Sequence, residues 1–333
     1  MNIPQHARLS CAPMMDWTDR HCRFFHRQLS QHVQLYTEMV TAPALVRGGA
    51  VHLLQHDPAE HPVVLQLGGS DPVELGQAAR MGWEAGYSEI NLNCGCPSDR
   101  VQSGCFGAVL MTEPARVGEI CAQMRAACPA EITVKCRIGV DDQDPQEALP
   151  RFLEALVQAG IGHVIIHARK AWLQGLSPKD NREIPPLDYP LVRAMKAAFP
   201  QLRISINGGI SSLEQARAFL DQGLDGVMIG RAAYQRPGDI LLAADRVIYG
   251  ASHDNTAETA LDAMRPYIAA QLAQGVRLAS VTRHMLGLFA GQPGARQWRR
   301  ILSEQAHRAG AGLDVLDQAQ AAVAQARVEF AAP

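Results

Sequence analysis

The feature that most limits the fold of this chain is a short apolar run, rich in β-branched residues, that recurs eight times. Amphipathic stretches of helical periodicity separate these runs, for example at residues 72–85, 115–127, 145–159 and 212–221. A regular alternation of strand and helix predicts a parallel sheet, and eight such units fit a (β/α)8 TIM barrel. The predicted strands cover residues 9–14, 35–40, 63–68, 89–93, 132–137, 163–168, 203–207 and 226–229.

The turn after the first predicted strand argues against the main competing α/β architecture. A doubly wound, dinucleotide-binding sheet requires a glycine-rich fingerprint at that turn. Here the turn reads Ala12-Pro13-Met14-Met15-Asp16 and contains no glycine. We therefore predict the closed barrel rather than the open sheet.

After Arg231 the strand pattern stops and only helical patterns follow. They cover residues 239–248, 257–274, 280–289, 296–308 and 313–328. The polar stretch at residues 250–256 is typical of a linker. We therefore predict a TIM-barrel catalytic domain at residues 1–250 and a small helical domain at residues 251–333.

Composition narrows the class of protein further. Of the 333 residues, 47% are hydrophobic and 19% are charged, which is ordinary for a soluble globular chain. Eight cysteines are too few for a disulfide scaffold at this length, and no run of about 18 apolar residues predicts a membrane span. The first nine residues lack a signal-peptide core. We expect a cytoplasmic protein with reduced thiols, no membrane association and no metal.

Polar residues stand at the carboxyl ends of five predicted strands, where TIM barrels carry their chemistry. Strand alternation places Asn91 and Asn93 on one face and the apolar Ile90 and Leu92 on the other. One such polar residue is equally well explained as a satisfied core group, but five at matching positions indicate a site in the barrel mouth. The five are Gln66, Asn93, Lys135, His167 and Asn207, and Arg137 closely follows Lys135.

Small residues follow the last two predicted strands, at Asn207-Gly208-Gly209 and at Gly230-Arg231. The phosphate site of TIM barrels lies after these two strands, where small residues let backbone amides approach a phosphate. Two tight turns that need glycine would explain the same residues. A phosphate site together with Lys135 and Gln66 suggests flavin mononucleotide (FMN), since lysine stabilises an anionic reduced flavin and glutamine offers both a donor and an acceptor.

The loop after the fourth strand contains Cys94 and Cys96, and Cys105 follows nearby. Three explanations are open. The spacing of these cysteines matches no common zinc pattern and lacks an obvious fourth ligand. Cysteine also serves as a small buried hydrophobe, which suits Cys121, Cys128 and Cys136. Finally, an ordinary thiol is mostly protonated at neutral pH and can act as a general acid.

Taken together, these residues resemble the tRNA-dihydrouridine synthase family, most closely its A-type bacterial branch. The resemblance spans nearly the whole chain, and its motifs are specific in combination rather than singly. The family motifs fall at residues 12–14, 36–40, 66–68, 90–98, 134–137, 166–169, 207–209 and 230–231. The A-type features fall at residues 16–21, 181–189 and 294–300.

The resemblance implies a mechanism. NADPH would reduce bound FMN, and a D-loop uridine of tRNA, at position 20 or 20a, would flip into the barrel mouth. The reduced flavin would give a hydride to C6 of the uracil, and Cys96 would give a proton to C5. Cys96 precedes Pro97-Ser98, as the family motif requires. Asn93 would hold the ring. His167 would contact either FMN or the substrate. The implied FMN-binding residues are Ala12, Pro13, Met14, Gln66, Lys135, His167, Asn207, Gly208, Gly209, Gly230 and Arg231.

Basic residues near the C-terminus suggest where tRNA would bind, although the net charge of the chain is only −2. Between Arg277 and Arg308 there are six arginines and one acidic residue. Arg296, Arg299 and Arg300 are spaced to share one helix face, which is also the pattern of a merely solvated face. The resemblance implies that Lys179, Arg182, Arg296 and Arg299 contact tRNA. We expect a monomer without a protein partner.

Three rival functions remain. A flavin-dependent pyrimidine or dihydroorotate-type oxidoreductase would share the barrel but act on a free small molecule. A non-catalytic RNA-binding protein could retain the flavin fold, although the set Asn93, Cys96, Lys135 and His167 argues for chemistry. A phosphate-binding isomerase barrel would explain the glycines but not the cysteine loop.

Overall fold

In the computed structural model, which describes residues 5–98 and 106–331, the eight predicted strands form one parallel sheet. Its order is β1-β8-β7-β6-β5-β4-β3-β2. Gln34 closes the remaining gap, because its N–H donates to the Leu9 carbonyl at 3.0 Å and its carbonyl accepts from Cys11 N–H at 2.9 Å. The predicted TIM barrel is confirmed. The strands are β1 Leu9–Cys11, β2 Leu35–Thr41, β3 Val63–Gly68, β4 Glu89–Cys94, β5 Glu131–Cys136, β6 His163–His167, β7 Arg203–Asn207 and β8 Gly226–Ile229.

Strand bounds agree with the sequence to within one residue, except for β1. That strand was predicted to reach Met14 but ends at Cys11. Pro13 has no N–H to continue a ladder. The Met14 N–H donates instead to Thr18 Oγ1 at 3.0 Å, so the chain already turns toward the first helix.

Helices follow the strands, and several begin with an aspartate cap. Asp71, Asp144 and Asp188 each accept a hydrogen bond from a backbone N–H in the first turn, and a proline follows within two residues. The barrel helices are α1 Arg20–Leu29, α2 Ala42–Val46, α3 Pro72–Glu84, α4 Pro114–Ala127, α5 Pro145–Gln158, α6 Tyr189–Ala198, α7 Leu213–Asp221, α8 Arg231–Gln235, α9 Pro237–Leu241 and α10 Ala244–Tyr249. Short 3-10 helices occur at Gln5–Arg8, Val51–Leu54, Pro58–Glu60, Gly107–Thr112 and Asp180–Arg182.

Two apolar layers hold the barrel. Outward-facing strand residues such as Leu92, Val134 and Ile166 are fully buried against the helices. A smaller cluster fills the inside of the barrel, so the interior is a packed core and not a pore. Polar inward-facing residues therefore lie on either side of this inner cluster, at the mouth and at the opposite end of the barrel. The inner cluster comprises Ala12, Tyr36, Val64, Ile165 and Met228.

The named elements described beyond Gly250 are all helical, as predicted. They are α11 Ala257–Ala273, α12 Leu278–Thr282, α13 Ala295–Gln305 and α14 Leu313–Ala331. The predicted helix at residues 239–248 is interrupted, because α9 ends at Leu241 and α10 begins at Ala244. The division into two domains at residue 250 stays a prediction. Within the described part of the chain, no helix is both long and apolar enough to span a bilayer.

One predicted C-terminal helix is wrong. The sequence pattern at residues 280–289 predicts a helix, whereas α12 ends at Thr282 and turns follow. Two tertiary contacts explain the difference. The Met285 carbonyl accepts from Trp298 Nε1 at 2.9 Å, and a Cβ at Gly287 would lie 2.1 Å from the Gln235 carbonyl oxygen. This segment is shaped by its packing rather than by its own periodicity.

The helical C-terminal part packs on α1 through aromatic and ionic contacts. Phe24 and Tyr267 stack with their ring centroids 3.9 Å apart. Asp19, the N-cap of α1, accepts from the N–H groups of His21 and Cys22. Its carboxylate also forms an ion pair with Arg283 and lies within hydrogen-bonding distance of His284 Nε2. Burial acts to raise the pKa of Asp19. Hydrogen bonds from His284, from the Cys22 N–H and from Arg283 outweigh burial and hold this pKa well below its usual range. Asp19 thus connects the start of α1 to the residues that follow α12.

We expect Asp19→Ala to lower the free energy of unfolding by about 2–3 kcal/mol, because it removes a helix cap together with the carboxylate that contacts Arg283 and the buried His284. Asp71→Ala is the matched control, since Asp71 caps α3 through Glu74 N–H and forms no ion pair among the described residues. It should cost only about 1 kcal/mol. Urea unfolding of both variants measures the difference, and equal losses would show that the Asp19 ion pairs add nothing.

Candidate active site

The structure brings the five predicted strand-end residues together at the mouth of the barrel. Gln66, Asn93, His167 and Asn207 are all buried there. Lys135 Nζ donates to Asn207 Oδ1 at 3.1 Å, and Asn93 Nδ2 donates to Gln66 Oε1 at 2.8 Å. Side chains from β3, β4, β5, β6 and β7 therefore converge at one end of the barrel.

Gln66 is held by an irregular stretch within β2. The β2–β3 register shifts between Tyr36 and Met39. Within this irregular stretch Thr37 Oγ1 accepts the Gln66 N–H at 3.0 Å and donates to the Glu38 carbonyl at 2.7 Å. A side-chain hydroxyl replaces a ladder bond at this point, so the backbone of Gln66 is fixed where β3 ends.

The cysteine loop is folded onto Asn93. Asn93 Oδ1 accepts the N–H groups of Gly95 and Cys96, both at 3.0 Å. The Cys96 side chain is partly exposed, and its Sγ lies 3.5 Å from Ser98 Oγ, within hydrogen-bonding distance for sulfur. This arrangement leaves the Cys96 thiol at the mouth, on a loop whose backbone is tied to the strand below it.

Cys94 lies in a different environment. It is fully buried on the outward face of β4, and Cys121 and Cys136 are its neighbouring thiols. Burial raises the pKa of the Cys94 thiol well above its usual range, and the neighbouring cysteines act in the same direction. The structure therefore separates the two thiols, placing Cys94 in the core.

Cys105 lies outside the described residues, so the metal-binding explanation can be examined only for the rest of the loop. Among the residues that the structure describes, no group of three or more histidine, cysteine, aspartate or glutamate side chains is arranged to hold a metal ion. Cys94 and Cys96 also occupy different environments, one within the core and one partly exposed.

The mouth contains cations that form no ion pair with a described carboxylate. Burial, with the Arg137 charge acting in the same direction, lowers the pKa of Lys135 to about 8. Burial, then Arg137 and Lys135, hold the pKa of His167 well below its usual range, so this imidazole is neutral. In residues 5–98 and 106–331, Lys135, Arg137 and Arg182 form no ion pair with a carboxylate. A cavity with unneutralised cations is suited to an anionic ligand.

The two glycines after β7 are required by local packing. Gly208 and Gly209 have φ angles of +113° and +69°. A Cβ at Gly208 would lie 2.5 Å from His167 Cδ2, and one at Gly209 would lie 2.7 Å from Leu187 Cδ1. The requirement for glycine is thus explained by the turn itself, in which Gly208 is buried and Gly209 is exposed.

The predicted segment Ala12 to Met14 lies beside Gly230. A Cβ at Gly230 would lie 3.5 Å from Ala12 Cβ and 3.7 Å from Met14 Sδ. The Ala12 N–H donates to the Ile229 carbonyl at 2.8 Å, so this amide is used within the fold. Arg231 forms an ion pair with Glu183 and donates to the Arg182 carbonyl at 3.4 Å. Its guanidinium would have to exchange Glu183 for a phosphate to take the predicted role.

Arg137 is a site residue whose role was not predicted. Its Nε donates to the Gly95 carbonyl at 3.1 Å, and its Nη1 donates to the carbonyls of Asn181 at 3.0 Å and Lys170 at 3.3 Å. The buried guanidinium therefore ties the cysteine loop to the loop after β6. The sequence places Arg137 at a strand end, but its partners are backbone carbonyls, which leave no signal in a sequence.

The loop after β6 is organised by Asn181, which is fully buried. Asn181 Oδ1 accepts from Trp172 N–H at 2.7 Å and its Nδ2 donates to the Trp172 carbonyl at 2.8 Å. Lys179 and Arg182, both predicted to contact tRNA, flank this residue and are exposed. A buried amide thus supports the loop that presents two exposed cations.

The arginines of α13 are exposed as predicted. Arg296, Arg299 and Arg300 are exposed, while Trp298 between them is fully buried. Arg283 and His284, which precede this helix in the chain, do not extend the basic face, because both side chains contact Asp19. Only the three exposed arginines of α13 are therefore assigned to the predicted basic face.

Comparison with known proteins agrees with this geometry. A family model described as dihydrouridine synthase matches residues 10–326. A tRNA-dihydrouridine(20/20a) synthase of Escherichia coli O6:H1 is 56% identical over 322 residues, covering 96% of this chain and 96% of that protein. The protein of the same name from Vibrio cholerae serotype O1 is 55% identical over 318 residues, covering 95% and 96%.

Among solved structures, the old yellow enzyme homologue from Zymomonas mobilis has a TM-score of 0.53 at 12% identity, covering 76% of this chain and 92% of that chain. At this identity the likeness concerns the fold alone, and it agrees with the TIM barrel. The relatives and the family model cover nearly all of the chain, including the cysteine loop and the C-terminal helices. The chain belongs to the dihydrouridine synthase family.

Proposed function

We propose that this protein reduces uridine to dihydrouridine in tRNA, at D-loop positions 20 and 20a, using FMN and NADPH. The observation that carries the proposal is the barrel mouth, where Lys135 and Arg137 have no carboxylate partner among the described residues and lie beside the Cys96 loop. Such a site suits an anionic cofactor and an anionic polymer next to a proton donor. The names of the relatives supply the substrate class.

The residues of the mouth fit FMN in charge and in hydrogen bonding. Lys135 is a largely buried cation held by Asn207, and Gln66 presents an amide with both a donor and an acceptor. His167 is neutral and would act through hydrogen bonds or ring contact rather than charge. When bound, FMN reduced by NADPH supplies the hydride for C6 of the uracil. Ala12, Pro13, Met14, Asn207, Gly208, Gly209, Gly230 and Arg231 would complete the cofactor site.

The chemical task left to the protein is to protonate C5 of the uracil and to hold the ring. We assign the proton to Cys96 Sγ, which is at the mouth, whereas Cys94 is enclosed in the core. Asn93 fixes the loop through its oxygen and still has one amide hydrogen for the ring, counting described partners only. A uridine reaches this depth only when it is flipped out of its stack.

The cations outside the mouth would hold the rest of the tRNA. Lys179 and Arg182 lie on the loop after β6, and Arg296 and Arg299 on α13. Arginine suits phosphate through its planar fork. The use of NADPH rests on the family resemblance. A monomeric state and a cytoplasmic location remain expectations from the sequence pattern.

We expect the double charge reversal Arg296→Glu with Arg299→Glu to raise the apparent KM for tRNA about tenfold or more, and to reduce the salt slope of binding by about two. The matched control is Arg151→Glu with Arg193→Glu, which reverses two exposed arginines on barrel helices and changes the net charge equally. Steady-state rates at several salt concentrations measure both. Equal effects of the two pairs would mean that only global charge matters.

The proposal as a whole is tested by the visible spectrum and by turnover. The purified protein is incubated with NADPH and with tRNA from cells lacking dihydrouridine, and the product is mapped by mass spectrometry. A yellow protein that forms dihydrouridine at positions 20 and 20a is the expected result. A yellow protein active only on free uracil or dihydroorotate would identify a small-molecule oxidoreductase, and a colourless protein would exclude the flavin site.

A further inference from the structure

A continuous chain of hydrogen-bonded side chains runs along the inside of the barrel, starting at the cysteine loop. The backbone N–H groups of Gly95 and Cys96 both donate to Asn93 Oδ1 at 3.0 Å. Asn93 Nδ2 donates to Gln66 Oε1 at 2.8 Å. Gln66 Nε2 donates in turn to Asn91 Oδ1 at 2.9 Å. Three amides thus connect the loop to the layer of side chains below the mouth.

Below Asn91 the chain leaves the site and ends on a buried carboxyl group. Asn91 Nδ2 donates to Thr133 Oγ1 at 2.9 Å, and this hydroxyl donates to Glu89 Oε1 at 2.9 Å. Glu89, the first residue of β4, also accepts from Gln34 Nε2 at 2.7 Å and from the Tyr36 hydroxyl at 3.5 Å. Every side-chain partner described for Glu89 therefore donates to it.

The two ends of the chain fix the direction of every hydrogen bond between them. Backbone N–H groups can only donate, and a carboxylate can only accept. Each amide oxygen must therefore face the cysteine loop, and each amide nitrogen must face Glu89. If one amide turned over, two donors or two acceptors would meet in the buried interior, where unpaired polar groups are costly.

We infer that Asn91 and Thr133, anchored on Glu89, are positioning residues that hold the Gln66 and Asn93 amides in one orientation. For what those two amides bind, the inference rests on the proposed function; the hydrogen-bond chain itself does not. In this orientation the Asn93 oxygen is occupied by the loop, so the residue offers a ligand only a donor. Asn93 can therefore bind a hydrogen-bond acceptor of the ligand, such as a uracil carbonyl, and not an amino group.

A pair of substitutions at Thr133, which contacts Asn91 and Glu89, tests the inference. Thr133→Val removes the hydroxyl and keeps the branched shape, whereas Thr133→Ser keeps the hydroxyl and removes a methyl group. In the full-length protein we expect Thr133→Val to weaken FMN binding about tenfold and to lower kcat with tRNA by a similar factor, roughly the loss of one buried hydrogen bond. Thr133→Ser should stay within about twofold of the wild type.

Hydrogen–deuterium exchange of the peptide covering residues 93–98 gives a readout that needs no cofactor. In Thr133→Val the chain of amides is held at the loop end only, so the hydrogen bonds from the Gly95 and Cys96 N–H groups weaken and these groups should exchange several-fold faster. Wild-type FMN affinity and wild-type exchange in Thr133→Val would overturn the inference, and so would equal losses in the Val and Ser variants. If the wild type binds no FMN but Thr133→Val still speeds exchange, the proposed function fails and the chain stands.

Discussion

Replacing Cys96 with alanine is expected to lower the rate of dihydrouridine formation by about 10²–10⁴-fold, the usual contribution of a positioned general acid. FMN binding and reduction of the flavin by NADPH should be nearly unchanged, because Cys96 is assigned to the proton at C5 and not to the cofactor. Single-turnover measurements separate the two half-reactions, following flavin absorbance for the first and dihydrouridine by mass spectrometry for the second.

Cys94→Ala is the matched control, since the two thiols are only two residues apart. Cys94 is the last residue of β4 and lies in the core, whereas Cys96 lies in the loop at the mouth. Cys94 is fully buried, so its loss should cost about 1 kcal/mol of stability through a small cavity and leave the rate per folded enzyme unchanged. Wild-type turnover in Cys96→Ala would remove the proton donor from the proposal. A rate lost in Cys94→Ala but kept in Cys96→Ala would reverse the assignment.

The barrel could be predicted from sequence because its parallel strands are buried on both faces. Such strands read as short apolar runs, as in Val63–Gly68 and Gly226–Ile229, whose predicted and observed bounds agree. The alternation within β4 also placed Asn91 and Asn93 on the inner face correctly, because side chains of a strand alternate strictly. The convergence of polar strand ends at one mouth then follows from the topology.

What the sequence could not reveal depends on contacts between distant segments. The turns after Thr282 replace a predicted helix because Gly287 packs against the Gln235 carbonyl. Arg137 joins two loops through backbone carbonyls, which every residue possesses. Gly208 is required by the ring of His167, 41 positions earlier by their residue numbers. In each case the partner is fixed by the fold and not by local pattern.

The direction of the amide chain belongs to the same category. Asn91 and Thr133 could be placed inside the barrel from alternation alone, but each has several possible partners there. Only the observed positions of the Gly95 and Cys96 N–H groups at one end, and of Glu89 at the other, determine which atom of each amide donates. The separation of Cys94 from Cys96 likewise needed the end of β4, at Cys94, to be located.

Lys135→Met should abolish most activity and, unusually for a buried position, stabilise the protein without FMN. In the folded protein burial lowers the pKa of Lys135 from 10.5 to about 8, a difference that corresponds to about 3 kcal/mol against the charged form. Partial contact with water at the mouth and the lost hydrogen bond to Asn207 reduce this figure. We therefore expect a gain of about 1–2 kcal/mol at pH 7, measured by urea unfolding of both apo-proteins.

The pH dependence identifies the charge as the cause. Because the folded pKa is lower than the unfolded one, the cost of holding the cation is fully present below pH 8 and disappears as the pH rises from about 8 to 10.5. The advantage of Lys135→Met should therefore shrink over that interval, whereas a gain from better packing would persist. Adding FMN at pH 7 should invert the order, since the anion stabilises the wild type more than the variant. A less stable apo-variant at pH 7 would show that the buried charge of Lys135 does not destabilise the protein without FMN.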